Sequence, residues 1–100
     1  MSLPKLDPLL HSELRLKIIS ILISVKEAEF TFIKRKTGAT AGNLSVQINK
    51  LKEAGYIKVK KGFSNNYPRT DCKITTKGHN AFEEYVANIK KIIEDSSGSE

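Results

Sequence analysis

One hundred residues, 39% hydrophobic and 28% charged, are enough for one domain with a modest core. No apolar run reaches the roughly 18 residues that a membrane span needs, and the single cysteine, Cys72, excludes an internal disulfide. The net charge of +6 is concentrated in residues 34–77, where eleven Lys or Arg face two acids, Glu53 and Asp71, so a polyanionic partner is the first class to consider.

In chain order, Asp7-Pro8 suits the start of a short turn through Leu9 and Leu10. Ser12 offers a second cap, and a first helix is expected over residues 13–24. Its apolar residues occupy two faces: Leu14, Ile18, Ile21, Leu22 and Val25 on one, Leu16, Ile19 and Ile23 on the other. Burial on two sides suggests contact with a second element or a second subunit. Phe30 could pair briefly as an edge strand, and Thr31 or a neighbour caps a second helix ending near Thr37.

Gly38 supplies a left-handed stop, Thr40 a cap, and a third helix is expected over residues 41–54 before Gly55 stops it again. Leu44, Ile48 and Leu51 lie on one face of that helix, opposite small or polar residues. Helix, glycine-containing turn, helix is the helix-turn-helix pattern. From Tyr56 the period changes to two, residues 62–68 form a turn-rich tip, and Thr70, Cys72 and Ile74 alternate on a returning strand. Thr75 or Thr76 then caps a long last helix, residues 77–94, whose stripe runs through Ala81, Phe82, Tyr85, Val86, Ile89, Ile92 and Ile93. Residues 95–100 (DSSGSE) are expected to be disordered. The fold class expected is α+β, mostly α: a helix-turn-helix followed by a two- or three-stranded wing and a long C-terminal helix.

The order of elements is that of a winged helix-turn-helix domain, and particular runs carry the likeness further. HSELRLKIISIL resembles the opening helix of small MarR- and ArsR-like regulators. The TAGNLS run, the LKEAGYI exit and TDCKITTKG resemble their recognition helix, its end, and the passage from wing to last helix. The resemblance covers about residues 7–93 and implies a cytoplasmic homodimer bound to operator DNA. Where Gln47 stands, many such regulators have histidine, so base preference does not carry over.

On this reading the duplex-facing residues are Thr40, Gly42, Asn43, Ser45, Val46, Gln47, Asn49 and Lys50, with the N-terminal part of the helix in the major groove. Lys60, Lys61, Ser64, Asn65, Asn66 and Arg69 form the wing, Arg69 being the favoured candidate for the minor groove. Leu9, Leu10, Leu16, Ile19 and Ile23, with Phe82, Tyr85, Val86, Ile89, Ile92 and Ile93, are expected at a homodimer interface. Tyr56, Phe63 and Tyr67 are expected to pack the hairpin, and Cys72 to be a small core residue. Gly42 has two readings: close approach of a partner's backbone, or relief of crowding by the preceding helix.

No nucleophile–histidine–acid arrangement, phosphate loop or metal-ligand spacing is present, so neither enzyme chemistry nor a metal or other cofactor is expected. Nothing in the sequence assigns a small-molecule effector. The alternative to DNA binding is a winged helix used as a protein-interaction module, which would present an apolar rather than a polar recognition face.

Overall fold

The middle of the chain is set by two glycines in the left-handed region, Gly38 (φ 72°) and Gly55 (φ 82°). In the computed structural model, which describes residues 2–98, the order is α1 (Glu13–Val25), β1 (Glu27–Glu29), α2 (Phe30–Thr37), α3 (Ala41–Glu53), β2 (Ile57–Ser64), β3 (Tyr67–Ile74) and α4 (Thr76–Gly98). The Gly38 amide bonds back to Lys34, and the Tyr56 amide, just past Gly55, bonds back to Leu51, so each stop satisfies a carbonyl at the end of a helix.

Capping follows the expected residues in part. Thr40 Oγ1 accepts from the Asn43 amide at 3.2 Å, and Thr75 Oγ1 accepts from the Gly78 amide at 3.0 Å. Asp7 Oδ1 accepts from the Leu9 amide at 2.9 Å and holds the opening turn. Ser12 and Glu29 occupy the caps of α1 and α2 without a side-chain bond. Thr31 lies one residue inside α2, so it is not the cap.

The sheet is antiparallel with order β1-β3-β2. Its third strand is formed by residues 27–29 rather than by Phe30, which already belongs to α2. Cys72 lies on the central strand between Ala28 and Val59. The expected seven-residue tip is much shorter. The strands run on to Ser64 and resume at Tyr67, leaving only Asn65 and Asn66 in the turn, both with positive φ (52° and 68°). That is a two-residue hairpin turn whose twist matches the strands, and asparagine tolerates it better than most residues.

The core gathers Ile18, Ile19 and Leu22 of α1, Ile33 of α2, Leu44, Ile48 and Leu51 of α3, and Ile57 and Cys72 of the sheet. Leu10 and Tyr85 join it, Tyr85 with its hydroxyl 2.9 Å from His11 Nδ1. Leu10, Ile19 and Tyr85 were expected to face a second subunit. They are instead buried by their own chain: Leu10 and Ile19 lie in its core, and the opening turn reaches α4, where His11 meets Tyr85. Helix α4 also continues through Gly98, four residues past its expected end, so residues 95–98 are helical; residues 99 and 100 lie outside the described residues.

Candidate nucleic-acid interface

Helix α3 divides cleanly by exposure. Leu44, Ile48 and Leu51 are buried, whereas Gly42, Asn43, Ser45, Val46, Asn49 and Lys50 are exposed. Val46 is half exposed on a surface otherwise made of glycine, serine, amides and lysine. Among the described residues none crowds Gly42: beyond its own helical backbone, a Cβ added there would meet no atom within 4 Å. Crowding by the preceding helix therefore does not account for it, and the fold itself does not require glycine at this position.

Toward β2, the outward face of α3 opens onto a groove of about 270 Å³ lined by Ser45, Asn49 and Lys52 on one side and Val59, Lys61 and Thr70 on the other. The sheet register explains why only some wing residues reach it. Side chains alternate across a strand, so Lys61 and its partner Thr70 point to the α3 side with Val59 and Cys72. Lys60 and Lys58 point to the opposite face with their partners Asp71 and Lys73. Lys60 and Lys61, grouped in the sequence, are thus separated by the sheet.

Arg69 also lies on that opposite face, paired with Gly62. Its guanidinium is 3.0 Å from Asp71 and 3.7 Å from Glu29, and both carboxylates hold it firmly protonated, the Asp71 hydrogen bond most of all. The arginine favoured for the minor groove is therefore partly neutralised by acids of its own sheet. Asn65 and Asn66 form the turn beside Ser64 at the end of the hairpin. Phe63 and Tyr67, expected to pack the hairpin, are 79% and 75% exposed near that end, because strands this far from the helices have nothing to pack against. Tyr56 alone of the three is partly buried, with its hydroxyl donating to Asp7.

Two residues that sequence reasoning passed over belong to this site. Lys52 follows Ser45 and Asn49 at helical spacing, a signal that was present in the sequence. Arg15 lies far from α3 in the sequence, yet it donates to Gln47 Oε1 at 2.5 Å, which leaves Gln47 half-buried beside α1. Asn49 Nδ2 lies 3.4 Å from Glu53, a long approach at an exposed site.

A profile of the Winged helix DNA-binding domain family matches residues 14–93. The chain belongs to this family. An uncharacterized protein of Methanocaldococcus jannaschii is 35% identical over 82 residues, 82% of this chain and 89% of that one. The transcriptional regulator homologue protein of Pyrococcus horikoshii superposes with a TM-score of 0.80 at 29% identity, covering 86% of this chain and 85% of its own. The transcriptional regulator BldR of Sulfolobus solfataricus shares the fold at a TM-score of 0.69 and 15% identity, covering 89% of this chain and 63% of its own.

Family and fold are those of a small winged-helix regulator, the class that the TAGNLS and LKEAGYI runs resemble. In winged-helix terms α3 is the recognition helix and β2–β3 the wing. The family and fold are those of DNA-binding transcriptional regulators rather than of enzymes. Among the described residues no group of His, Cys, Asp and Glu could hold a metal, and no helix is long and apolar enough to cross a membrane.

Of the residues expected at a subunit interface, those outside the core of the single chain fall into two groups. Leu16, Phe82, Val86 and Ile89 line an apolar groove between α1 and α4, with Ser20 and Lys90 at its edges. Leu9, Ile23 and Ile92 are half-buried, and Ile93, at 60% exposure, extends the apolar stripe toward the end of α4.

Proposed function

We propose that the protein is a sequence-specific regulator that binds duplex DNA as a homodimer, with α3 in the major groove and the wing against the minor groove or its phosphates. The observation that carries this reading is the outward face of α3. Glycine, asparagine, serine and one valine stand exposed there, where no core packing calls for them, beside a groove rimmed by Lys52 and Lys61.

A glycine in the first turn lets a phosphate or base edge come close, and amides and a methyl-bearing side chain are the groups that read base edges. The N-terminus of α3 adds its partial positive charge toward phosphate. Lys50, Lys52 and Lys61 supply counterion release, which dominates affinity for DNA. An interaction module would be expected to present an apolar surface here, and Val46 is the only large apolar residue that this face exposes.

The homodimer part rests on α4. Its stripe of Phe82, Val86, Ile89 and Ile93 is only partly covered by α1, and a second copy applied to the same groove would bury it. A dimer paired there would read two half-sites, which for two recognition helices in successive major grooves lie roughly 34–36 Å apart.

The test is retention of a pool of random duplexes of about 25 base pairs by the full chain across a series of salt concentrations. Nanomolar-to-micromolar affinity that falls steeply with salt is expected. Lys52→Gln and Lys61→Gln should each flatten the log–log slope by about 1, the share of a single neutralised phosphate. No retention at low salt would end this reading.

A further inference from the structure

Asn43 and Gln47 lie one turn apart on the α1 side of α3, and their amides are not free to flip. Arg15 of α1 donates from Nε to the Leu9 carbonyl at 2.6 Å and from Nη1 to Gln47 Oε1 at 2.5 Å. Gln47 Nε2 in turn donates to Asn43 Oδ1 at 3.0 Å. The direction of this relay follows from the chemistry of arginine. A guanidinium has five donors and no acceptor, so the only Gln47 atom it can hold at hydrogen-bond distance is the carbonyl oxygen. With Oε1 committed, Gln47 can offer Asn43 only its amide hydrogens, and Asn43 must answer with its own carbonyl.

We propose that Arg15 is a positioning residue that makes the Asn43 end of the recognition helix a donor-only reader, directed to guanine. The proposal rests on the duplex-binding reading above. To read adenine bidentately, an asparagine must turn both its carbonyl and its amide group to the base, accepting from N6 and donating to N7. The Asn43 carbonyl is instead turned along the helix to Gln47, leaving the Nδ2 hydrogens of an exposed side chain to meet the groove. Guanine presents N7 and O6, two acceptors side by side, and suits such a reader. The positive charge at the head of the relay polarises both bonds toward donation at the far end. Without Arg15, the Gln47 and Asn43 amides could both rotate, and adenine would become as good a partner as guanine.

The test is a selection from a random duplex library, read by sequencing, for the wild-type chain, Asn43→Asp and Arg15→Met, with thermal melting of each protein alongside. The wild-type profile should contain guanine at one position per half-site. Asn43→Asp keeps an acceptor for Gln47 and gains from the helix dipole in the first turn, so it should fold. It turns an acceptor outward, and the preference at that single position should move from guanine to cytosine, whose major-groove amine donates, by about tenfold or more. Arg15→Met should raise adenine relative to guanine at the same position by about tenfold and leave the other positions unchanged. A merely structural Arg15 would lower the melting temperature and the affinity for all sequences alike while the base profile stayed as in wild type, and that result would overturn the proposal. An unchanged profile in Asn43→Asp would overturn it too. If the wild-type chain enriches no duplex at all, the duplex-binding reading fails and this inference with it; enrichment with unaltered profiles removes the positioning role alone.

Discussion

The backbone of Gly78 lies directly against the carbonyl oxygen of Tyr56, with no room for a Cβ between them. The same carbonyl accepts from the Thr75 amide at 3.1 Å and from Thr75 Oγ1 at 2.9 Å, so the end of α3 and the start of α4 are locked at one point. Tyr56 completes the lock: its hydroxyl donates to Asp7, and Lys77 lies 5.8 Å over its ring. This junction sets the direction in which α4 leaves the domain, and hence where a second copy would meet it. Gly78→Ala must displace backbone rather than a flexible side-chain end. It is expected to cost about 1–3 kcal/mol, measured as a shift in the urea midpoint.

Gly42 calls for the opposite behaviour. It is helical, surrounded by open space, and costs helix stability relative to alanine. Gly42→Ala should therefore raise the stability of the free protein, by up to about 1 kcal/mol, while weakening duplex binding. Stability and affinity measured on the same sample decide the point. A variant that is more stable and binds DNA as well as wild type would show that no partner approaches this position.

Alkaline pH should weaken the fold at two places. Burial pushes the Cys72 thiol up to about 11, with the Asp71 carboxylate adding to it, and burial with the Asp7 interactions pushes the Tyr56 phenol up to about 12. Both groups hold their protons more tightly in the folded chain than in the unfolded one. Their contribution is complete below the unfolded thiol value of about 8.5 and declines as pH rises through the folded values. Urea midpoints should thus be insensitive to these groups between pH 6 and 8 and fall from about pH 9 upward. Cys72→Ala should remove the first part of that decline. The same burial predicts that iodoacetamide leaves Cys72 unmodified at pH 7.5 until denaturant is added.

Val86 and Ile93 are 38% and 60% exposed on α4 and contribute little to the core of the single chain. Replacing both with glutamate should leave the melting temperature of the monomer nearly unchanged, because each charge stays in water. In sedimentation velocity the double variant should run as a monomer at concentrations where wild type runs as a dimer. A wild-type protein that is monomeric at tens of micromolar would require another occupant for that face.

Much of this architecture is legible in the sequence because it is locally specified. Gly38, Thr40 and Gly55 bound α3 through rules that need only a few neighbouring residues, and the core face of Leu44, Ile48 and Leu51 follows from spacing. The misreadings share a physical cause: each depends on a partner distant in sequence. Strand β1 is three residues long and exists only because β3 pairs with it. Gly62 and Pro68 read as turn residues, yet they lie in the ladder, since the Asn65-Asn66 turn makes the hairpin tight enough to pair them.

Helical periodicity shows that Ile19 and Tyr85 are to be buried but not by which chain; both lie in the core of the single chain, and the opening turn brings Leu10 and His11 to it. Arg69 looks like a free cation until β1 brings Glu29 beside it. The link from Arg15 to Gln47 joins α1 to α3, and no local pattern announces it.

The sharpest test of α3 and the adjoining β2 face as the DNA interface is to titrate an isotope-labelled chain with a duplex taken from the selection and follow the backbone amide resonances. The largest shifts are expected at Gly42, Asn43, Val46 and Asn49, with a second set at Lys52, Lys61 and the Asn65-Asn66 turn. Shifts gathered on Phe82, Val86 and Ile89, with residues 41–53 unmoved, would refute that assignment.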